Sequence, residues 1–290
     1  MREVSLLTRG LAEAKIPSVN HAEDDKLGML TLGSAMVMYR FLTVALLMHP
    51  LLLAGCSQTP IARLDSYLGL PTRGATAITT APVNKSSGPF DVGLLVINDI
   101  SAQGSAPALS DKARAFLTDQ VRRRVETMLP IRIVTVLAWT EAALPHDSQK
   151  LRQLAQERAV PCLLLAIFSS AESEVPTYLG LGGSPEQGGG RPNVPGFEAN
   201  NYALVELALM DVAMGQLVAR ADVRAWSQLL RLYVPIKSNV YPVVHRSLRA
   251  APIYPPEDQA KDILRSIAGD EALEQAVMHL QQLWAKRGAS

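Results

Sequence analysis

The sequence predicts an α/β fold: a three-layer sandwich around a mixed sheet, with a parallel β-α-β-α-β unit followed by an antiparallel hairpin and C-terminal helices. Three observations predict it. Between Asp91 and Phe168, short apolar runs bounded by turn residues alternate with amphipathic stretches. Two strand–helix–strand units in succession imply right-handed crossovers and hence a parallel core. Downstream, two long apolar runs meet at Met214-Gly215, where glycine can take the positive φ of a tight hairpin.

Each element has its own sequence signal. Asp91–Asn98 (DVGLLVIN) is a continuous apolar run, as expected of a strand covered on both faces. Ser110 is placed to cap a helix running to Leu129, in which Ala113, Phe116, Leu117, Val121, Val125 and Met128 recur at i, i+3, i+4 spacing and form one buried stripe. Arg122-Arg123-Arg124 falls largely off that stripe and reads as a solvated face. Pro130 ends the helix, and Ile131–Ala138 follows as a second strand. Asp147 or Ser148 opens a second helix with Leu151, Leu154 and Ala155 inward; Pro161 closes it, and Cys162–Phe168 is a third buried strand.

The segment 178–201 changes character. Seven glycines and three prolines between Tyr178 and Asn201 predict a flexible Gly-rich insertion. It contains no Gly-x-x-x-x-Gly-Lys-Ser/Thr and follows no strand-to-helix turn, so it is not read as a phosphate cradle. Tyr202–Val212 is then a long strand with Ala203, Val205, Leu207 and Leu209 on one side, paired with Gln216–Trp226. Ser227–Pro256 is expected to be irregular. Its Tyr233, Tyr241, His245, Arg246, Arg249 and Tyr254 mix aromatic and basic side chains, which suits recognition of a protein or glycan. The plainer alternative is an irregular cover over an open sheet edge. Two helices are expected to finish the chain, Pro256–Ile267 burying Ala260, Ile263, Leu264 and Ile267, and a second capped by Asp270 burying Leu273, Ala276, Val277, Leu280 and Trp284.

Little in the chain points to catalysis. His146-Asp147 stands at a helix entry, where Asp is usually a cap. His245 lies near Ser247, but no Gly-x-Ser-x-Gly elbow occurs, and no His-Glu-x-x-His or paired-cysteine spacing suits zinc. The expectation is therefore a non-enzyme with no cofactor, no metal and no catalytic residue. With 28 Lys plus Arg against 27 Asp plus Glu, the net charge is +1 and no nucleic-acid partner is expected. Cys162, in an apolar run, reads as a small buried hydrophobe.

Upstream of the domain, Tyr39-Arg40 supplies a short charged region, Phe41–Leu53 an apolar one, and Leu53-Ala54-Gly55-Cys56 the end of the stretch. Those last four residues resemble the lipobox of bacterial lipoprotein precursors. The resemblance implies cleavage between Gly55 and Cys56 and a diacylglyceryl group on the Cys56 thiol. His49-Pro50 interrupts the run, and a membrane helix needs about 20 mostly apolar residues, so a cleaved signal fits better than a span. The alternative is a buried helix that happens to end in those four residues.

The predicted organisation follows. Residues 1–35 are a start assigned too early or an extended, disordered n-region; 36–55 are the signal peptide; 56–90 are a flexible tether; 91–290 are one periplasmic domain. If the tether is mobile, its ~30 residues span roughly 30 Å, and Ile61–Leu70 are the part that could pack on the domain. Ser57 after the cysteine, where aspartate would signal retention at the inner membrane, suggests the outer membrane by analogy with Gram-negative lipoproteins.

The hairpin Leu209–Val218 (LMDVAMGQLV) carries a further resemblance. It is similar to the Asp-x-x-x-Gly-x-hydrophobic hairpin of periplasmic lipoproteins of the curli-secretion-channel and penicillin-binding-protein-activator type, whose general fold the TolB amino-terminal domain shares. Leu151–Ala159 leading into Cys162–Leu165, and Asp91–Asp99 leading into the Ser110 helix, agree with it. The resemblance implies a lipid-anchored binding or assembly module with an envelope-protein partner, and it is compatible with homo-oligomers. A pore is disfavoured, since 178–201 shows no ~10-residue stretch of alternating apolar residues. The rival expectation is an envelope enzyme acting on peptidoglycan or polysaccharide through the His245 strip.

Overall fold

The computed structural model describes residues 59–69, 89–137, 148–180, 193–234, 240–246 and 250–288, all within the compact unit Ser57–Ser290. Gly55, Cys56, His146, Asp147, Ser247 and Arg249 lie outside the described residues, as do the expected signal segment 36–55 and residues 1–35. In chain order the elements are α1 (Leu64–Tyr67), β1 (Phe90–Asp99), α2 (Asp111–Met128), β2 (Ile131–Leu137), α3 (Ser148–Glu157), β3 (Cys162–Gly180), β4 (Asn193–Asp211), β5 (Gln216–Leu232), β6 (Val243–His245) and α4 (Ala260–Gly288). The strands form one mixed sheet in the order β2-β1-β3-β4-β5-β6. β1 runs parallel to β2 and β3, and the remaining pairs are antiparallel. The expected α/β class and mixed sheet are therefore present.

Helices cover both faces for a topological reason. The chain steps outward from β1 to β2 and then back across β1 to β3, so two right-handed crossovers of opposite direction leave α2 and α3 on opposite sides. Burial agrees. Ala113, Leu117, Val121 and Val125 of α2 pack with Val92, Leu94, Leu164, Ala166, Leu207 and Leu209 on one face, together with Ala276, Val277 and Leu280 of α4. Leu151 and Ala155 of α3 pack with Leu95, Ile97, Leu163, Leu165 and Met210 on the other. The strict alternation along β3, with 162, 164, 166 and 168 on one side and 163, 165 and 167 on the other, is the period of two of a doubly covered strand. Ser110 caps α2 by accepting from the Ala113 N–H, as its position predicts. Phe116 departs from the expected stripe and is 43% exposed.

Three expectations need correction. The Gly-rich segment 178–201 is not an insertion throughout: β3 and β4 pair continuously from Cys162↔Asp211 to Gly180↔Asn193, which leaves only 181–192 outside the described residues. Pro176 is tolerated because β1 ends at the Asp99↔Ser169 pair and, past the isolated Ser105↔Ala171 bridge, β3 is an edge strand with no ladder bond on that side to lose. The two C-terminal helices are one, Ala260–Gly288. Gly269 sits inside it, facing Leu117 and Phe168, where a Cβ would meet both at ordinary contact distance, so the helix runs through the glycine without needing it. Asp270 is accordingly no cap; it accepts from Arg124 of α2 at 3.0 Å and ties the two helices together. Finally, 227–256 is not irregular throughout. Ser227–Leu232 continues β5, and β6 pairs with Gln228–Leu230.

The β4–β5 turn fixes one glycine. Gly215 has φ +66, and Arg152 of α3 lies across it, its guanidinium donating to the Val212 and Ala213 carbonyls at 3.1 and 3.0 Å. Gly215→Ala is expected to cost about 1–2 kcal/mol from the left-handed backbone alone. Gly215→Asn should lose less, since asparagine enters that region more readily. Urea unfolding midpoints of the two variants check the order.

Candidate functional site at the distal end of the sheet

β3, β4 and β5 run well past α2 and α3, which pack on the first halves of β3 and β5 and the second half of β4, and the aromatic side chains collect at the distal end. Tyr178 pairs with Pro195, whose carbonyl accepts the Tyr233 N–H at 3.1 Å; Pro176 pairs with Phe197, and Phe197 with Arg231. The Phe197 and Tyr233 ring centroids stand 3.8 Å apart, and the Arg231 guanidinium lies 5.0 Å from the Phe197 centroid. Tyr178 is 74% exposed and Tyr233 47%. Arg231 also reaches Glu174 and Glu257, while Lys261 holds Glu174 and Arg265 holds Glu172 at 2.7 Å, which fixes the start of α4 on the hairpin. The result is a rigid aromatic platform rimmed by paired charges, the composition of a protein-recognition patch.

The residues singled out in the sequence divide around this platform. Tyr233 belongs to it. Tyr241 stands close by, its hydroxyl donating to the Gly180 carbonyl at 3.1 Å. His245 lies farther back on the edge strand β6, opposite Gln228, and Val244 bridges to Ile253. Arg246 is exposed and lowers the carboxyl of Glu271 on α4, which burial raises. Tyr254 is 58% exposed. Tyr178, Phe197 and Arg231 were missed, because the prolines around them hide the strands that place them. The arginine run of α2 is a solvated face in part: Arg123 pairs with Asp119 and Arg122 with Glu126, but Arg124 is the link to Asp270.

Between the sheet and α4, a partly open pocket of about 10 Å³ is lined by Asn98, Ser169, Arg265 and Gly269. A small-molecule site usually needs about 300–1,000 Å³, so this space does not qualify. Cys162 is buried and its thiol is pushed up to about 11 by desolvation, which keeps it unreactive. Among the described residues no group of three or more His, Cys, Asp or Glu could hold a metal ion, and no helix is long and apolar enough to cross a membrane.

A second constellation clamps the segment expected to be a tether. Pro60 is buried, and Leu64 and Tyr67 are 0% and 2% exposed. Glu206 of β4, itself fully buried, accepts the Arg63 N–H at 2.6 Å and the Leu64 N–H at 3.1 and 3.2 Å. Arg220 of β5 binds Asp65 at 2.5 Å. The Tyr67 hydroxyl donates to Asp99 at 3.0 Å, and burial with that carboxylate raises its phenol well above the ordinary value. Desolvation likewise raises the Glu206 carboxyl, opposed by the two N–H donors and Arg220 and assisted by Asp222. A four-residue helix is far too short to hold itself, so these contacts define it.

No family model matches the chain and no curated protein matches it. Among solved structures, it is similar to a PelC dodecamer from Paraburkholderia phytofirmans, at 10% identity over 68% of this chain and 90% of that one, with a TM-score of 0.30. It is also similar to the hypothetical protein CT253 from Chlamydia trachomatis, at 12% identity over 67% and 96% of the two chains and a TM-score of 0.34. A third is a minor lipoprotein from Acinetobacter baumannii, at 10% identity over 66% and 92% and a TM-score of 0.27.

Proposed function

We propose that the mature chain is a lipid-anchored lipoprotein of the bacterial envelope, on the periplasmic face of the outer membrane. It acts as a non-enzymatic binding or assembly module, and the aromatic platform at Tyr178, Phe197 and Tyr233 faces its protein partner. One observation carries the reading: the compact unit begins at Ser57, directly after the cysteine of Leu53-Ala54-Gly55-Cys56. Cleavage and acylation there leave that unit whole and attach the lipid at its edge. The apolar run before the cysteine supplies the export signal that such processing requires.

Labelled fatty acid should enter the wild-type protein and not Cys56→Ser, which should accumulate as the longer precursor. Incorporation into Cys56→Ser, or none into the wild type, would remove the anchor from this account. For the module, affinity capture from envelope fractions should retrieve a protein partner. A peptidoglycan- or polysaccharide-cleaving activity lost in His245→Ala, with capture unchanged, would replace the module with an enzyme.

A further inference from the structure

The clamp on α1 has a geometric consequence for a lipidated chain. Four residues of backbone separate Cys56 from buried Pro60, and eight separate it from Leu64. Extended chain covers at most about 3.3–3.6 Å per residue, so the acylated sulfur can stand no farther than about 14 Å from Pro60 and about 29 Å from Leu64. The leash is thus far shorter than the whole stretch 56–90 would give, because Glu206, Arg220 and Asp99 fasten its first third to the sheet.

The face to which it is fastened is half covered. On the side of α1 and α3, Glu206 pairs with Asp222 in one row, and Leu204 with Arg224 in the next, under α1. One row farther, Tyr202 stands directly opposite Trp226, and Asn200, Gln228 and His245 follow. Trp226 is 40% exposed, Tyr202 and His245 are half-buried, and Val175 on the same face is 49% exposed. Four residues of strand separate Asp222 from Trp226, about 13 Å. The open face and the clamped segment that leads to Cys56 therefore lie on one side of the body, within one short reach of each other. Tryptophan and tyrosine with an apolar body and a polar edge are the side chains that settle at the water–lipid boundary.

We propose that Pro60–Leu68 is a strap that draws this open face, centred on Trp226 and Tyr202, onto the bilayer surface. It rests on acylation of Cys56. The occupant of the face is the lipid interface because the chain that enters it ends at the lipid, with at most about 14 Å of chain between the acylated cysteine and Pro60. The aromatic platform at Tyr178 and Tyr233 projects from the opposite side of the strands and stays free for a partner.

The test uses the mature lipidated protein carrying Trp139→Phe and Trp284→Phe, so that Trp226 is the sole emitter. It is reconstituted in vesicles of phosphatidylethanolamine and phosphatidylglycerol, with or without bromine on the acyl chains. Brominated lipid should at least halve the Trp226 emission. A Gly/Ser linker of about 20 residues inserted between Thr59 and Pro60, spanning roughly 25 Å, should restore most of it without touching the fold. Unquenched emission from protein whose amino-terminal peptide carries the acyl groups by mass spectrometry overturns the strap and leaves the anchor standing. Equal quenching with and without the linker overturns it too, since the face would then find lipid unaided. Protection of Trp226 from iodide in detergent, with a doubled hydrodynamic mass, gives the face to a second copy instead. An unacylated peptide removes both strap and anchor.

Discussion

Glu206→Ala is expected to lower the stability of the folded body by about 2 kcal/mol and to free α1 from the sheet. The substitution leaves the Leu64 and Arg63 N–H groups without their acceptor, and an orphaned buried donor costs about 1–3 kcal/mol. Releasing a desolvated carboxylate works in the other direction, which keeps the loss below the sum of two orphaned amides. The loss is also capped from above. Once it exceeds what α1 gains by docking, the segment lets go and its amides meet water. Burying Leu64 and Tyr67 contributes roughly 1.5–3 kcal/mol each before the cost of ordering the chain. Urea unfolding reads the stability, and hydrogen exchange at the amides of residues 63–68 reads the release.

Glu206→Gln separates charge from hydrogen bonding. It keeps one acceptor oxygen and abolishes titration, so at pH 7 it should lie within about 1 kcal/mol of the wild type, the worth of a single neutral hydrogen bond. The two should diverge with pH in a defined direction. Burial raises the folded carboxyl above its ordinary 4.5. Between 4.5 and that raised value, the folded chain holds a proton that the unfolded chain has released, so the stability of the wild type rises as pH falls through the window and is lost as pH climbs out of it. The charged groups around Glu206 are Arg63 just before α1, with Asp99 of β1 beside it, Asp65 on α1, and Arg220 and Asp222 on β5. None of them is changed by the substitution. The difference between wild type and Gln across pH 4.5–7 therefore isolates Glu206. A wild type that gains stability relative to Gln as pH rises would reverse the sign.

The parts of this fold that were legible in the sequence are those where burial imposes a period. β1, the first half of β3 and the second half of β4 are covered on both faces and read as unbroken apolar runs; α2 carries its stripe at helical spacing between Ser110 and Pro130. The illegible parts have a different physical origin. Beyond Ser169 the sheet carries a single helix on one face, so the apolar signal thins, and Pro195 reads as a breaker although it occupies a strand position, opposite Tyr178 and with its carbonyl accepting the Tyr233 N–H on the other side. The tip aromatics Tyr178 and Phe197 were lost with those strands. Gly269-Asp270 read as a helix boundary because glycine is a poor helix former in isolation; burial of α4 on both sides of it, through Leu264, Ala268, Leu273 and Val277, outweighs about 1 kcal/mol of propensity. Glu206 was invisible for another reason: its partners are backbone amides 142 and 143 residues earlier, which no local pattern encodes.

Leu164→Ala and Tyr178→Ala should have opposite signatures. Leu164 is fully buried in β3, flanked by Leu94 of β1 and Leu209 of β4, between the sheet and helices α2 and α4. Truncation there removes transfer free energy and opens a cavity that neighbouring strands, locked on both sides, cannot close; about 3 kcal/mol is expected. Tyr178 is 74% exposed at the tip, and truncating it should change stability by less than about 0.5 kcal/mol. That inequality is what makes the tip testable as a recognition surface. A partner lost in Tyr178→Ala at an unchanged unfolding midpoint is lost through the contact itself, whereas capture by Leu164→Ala should fall only with the fraction of unfolded protein. A Tyr178→Ala midpoint lowered as far as that of Leu164→Ala would make the tip a part of the core, and the platform at Phe197 and Tyr233 a packing device with no surface to offer.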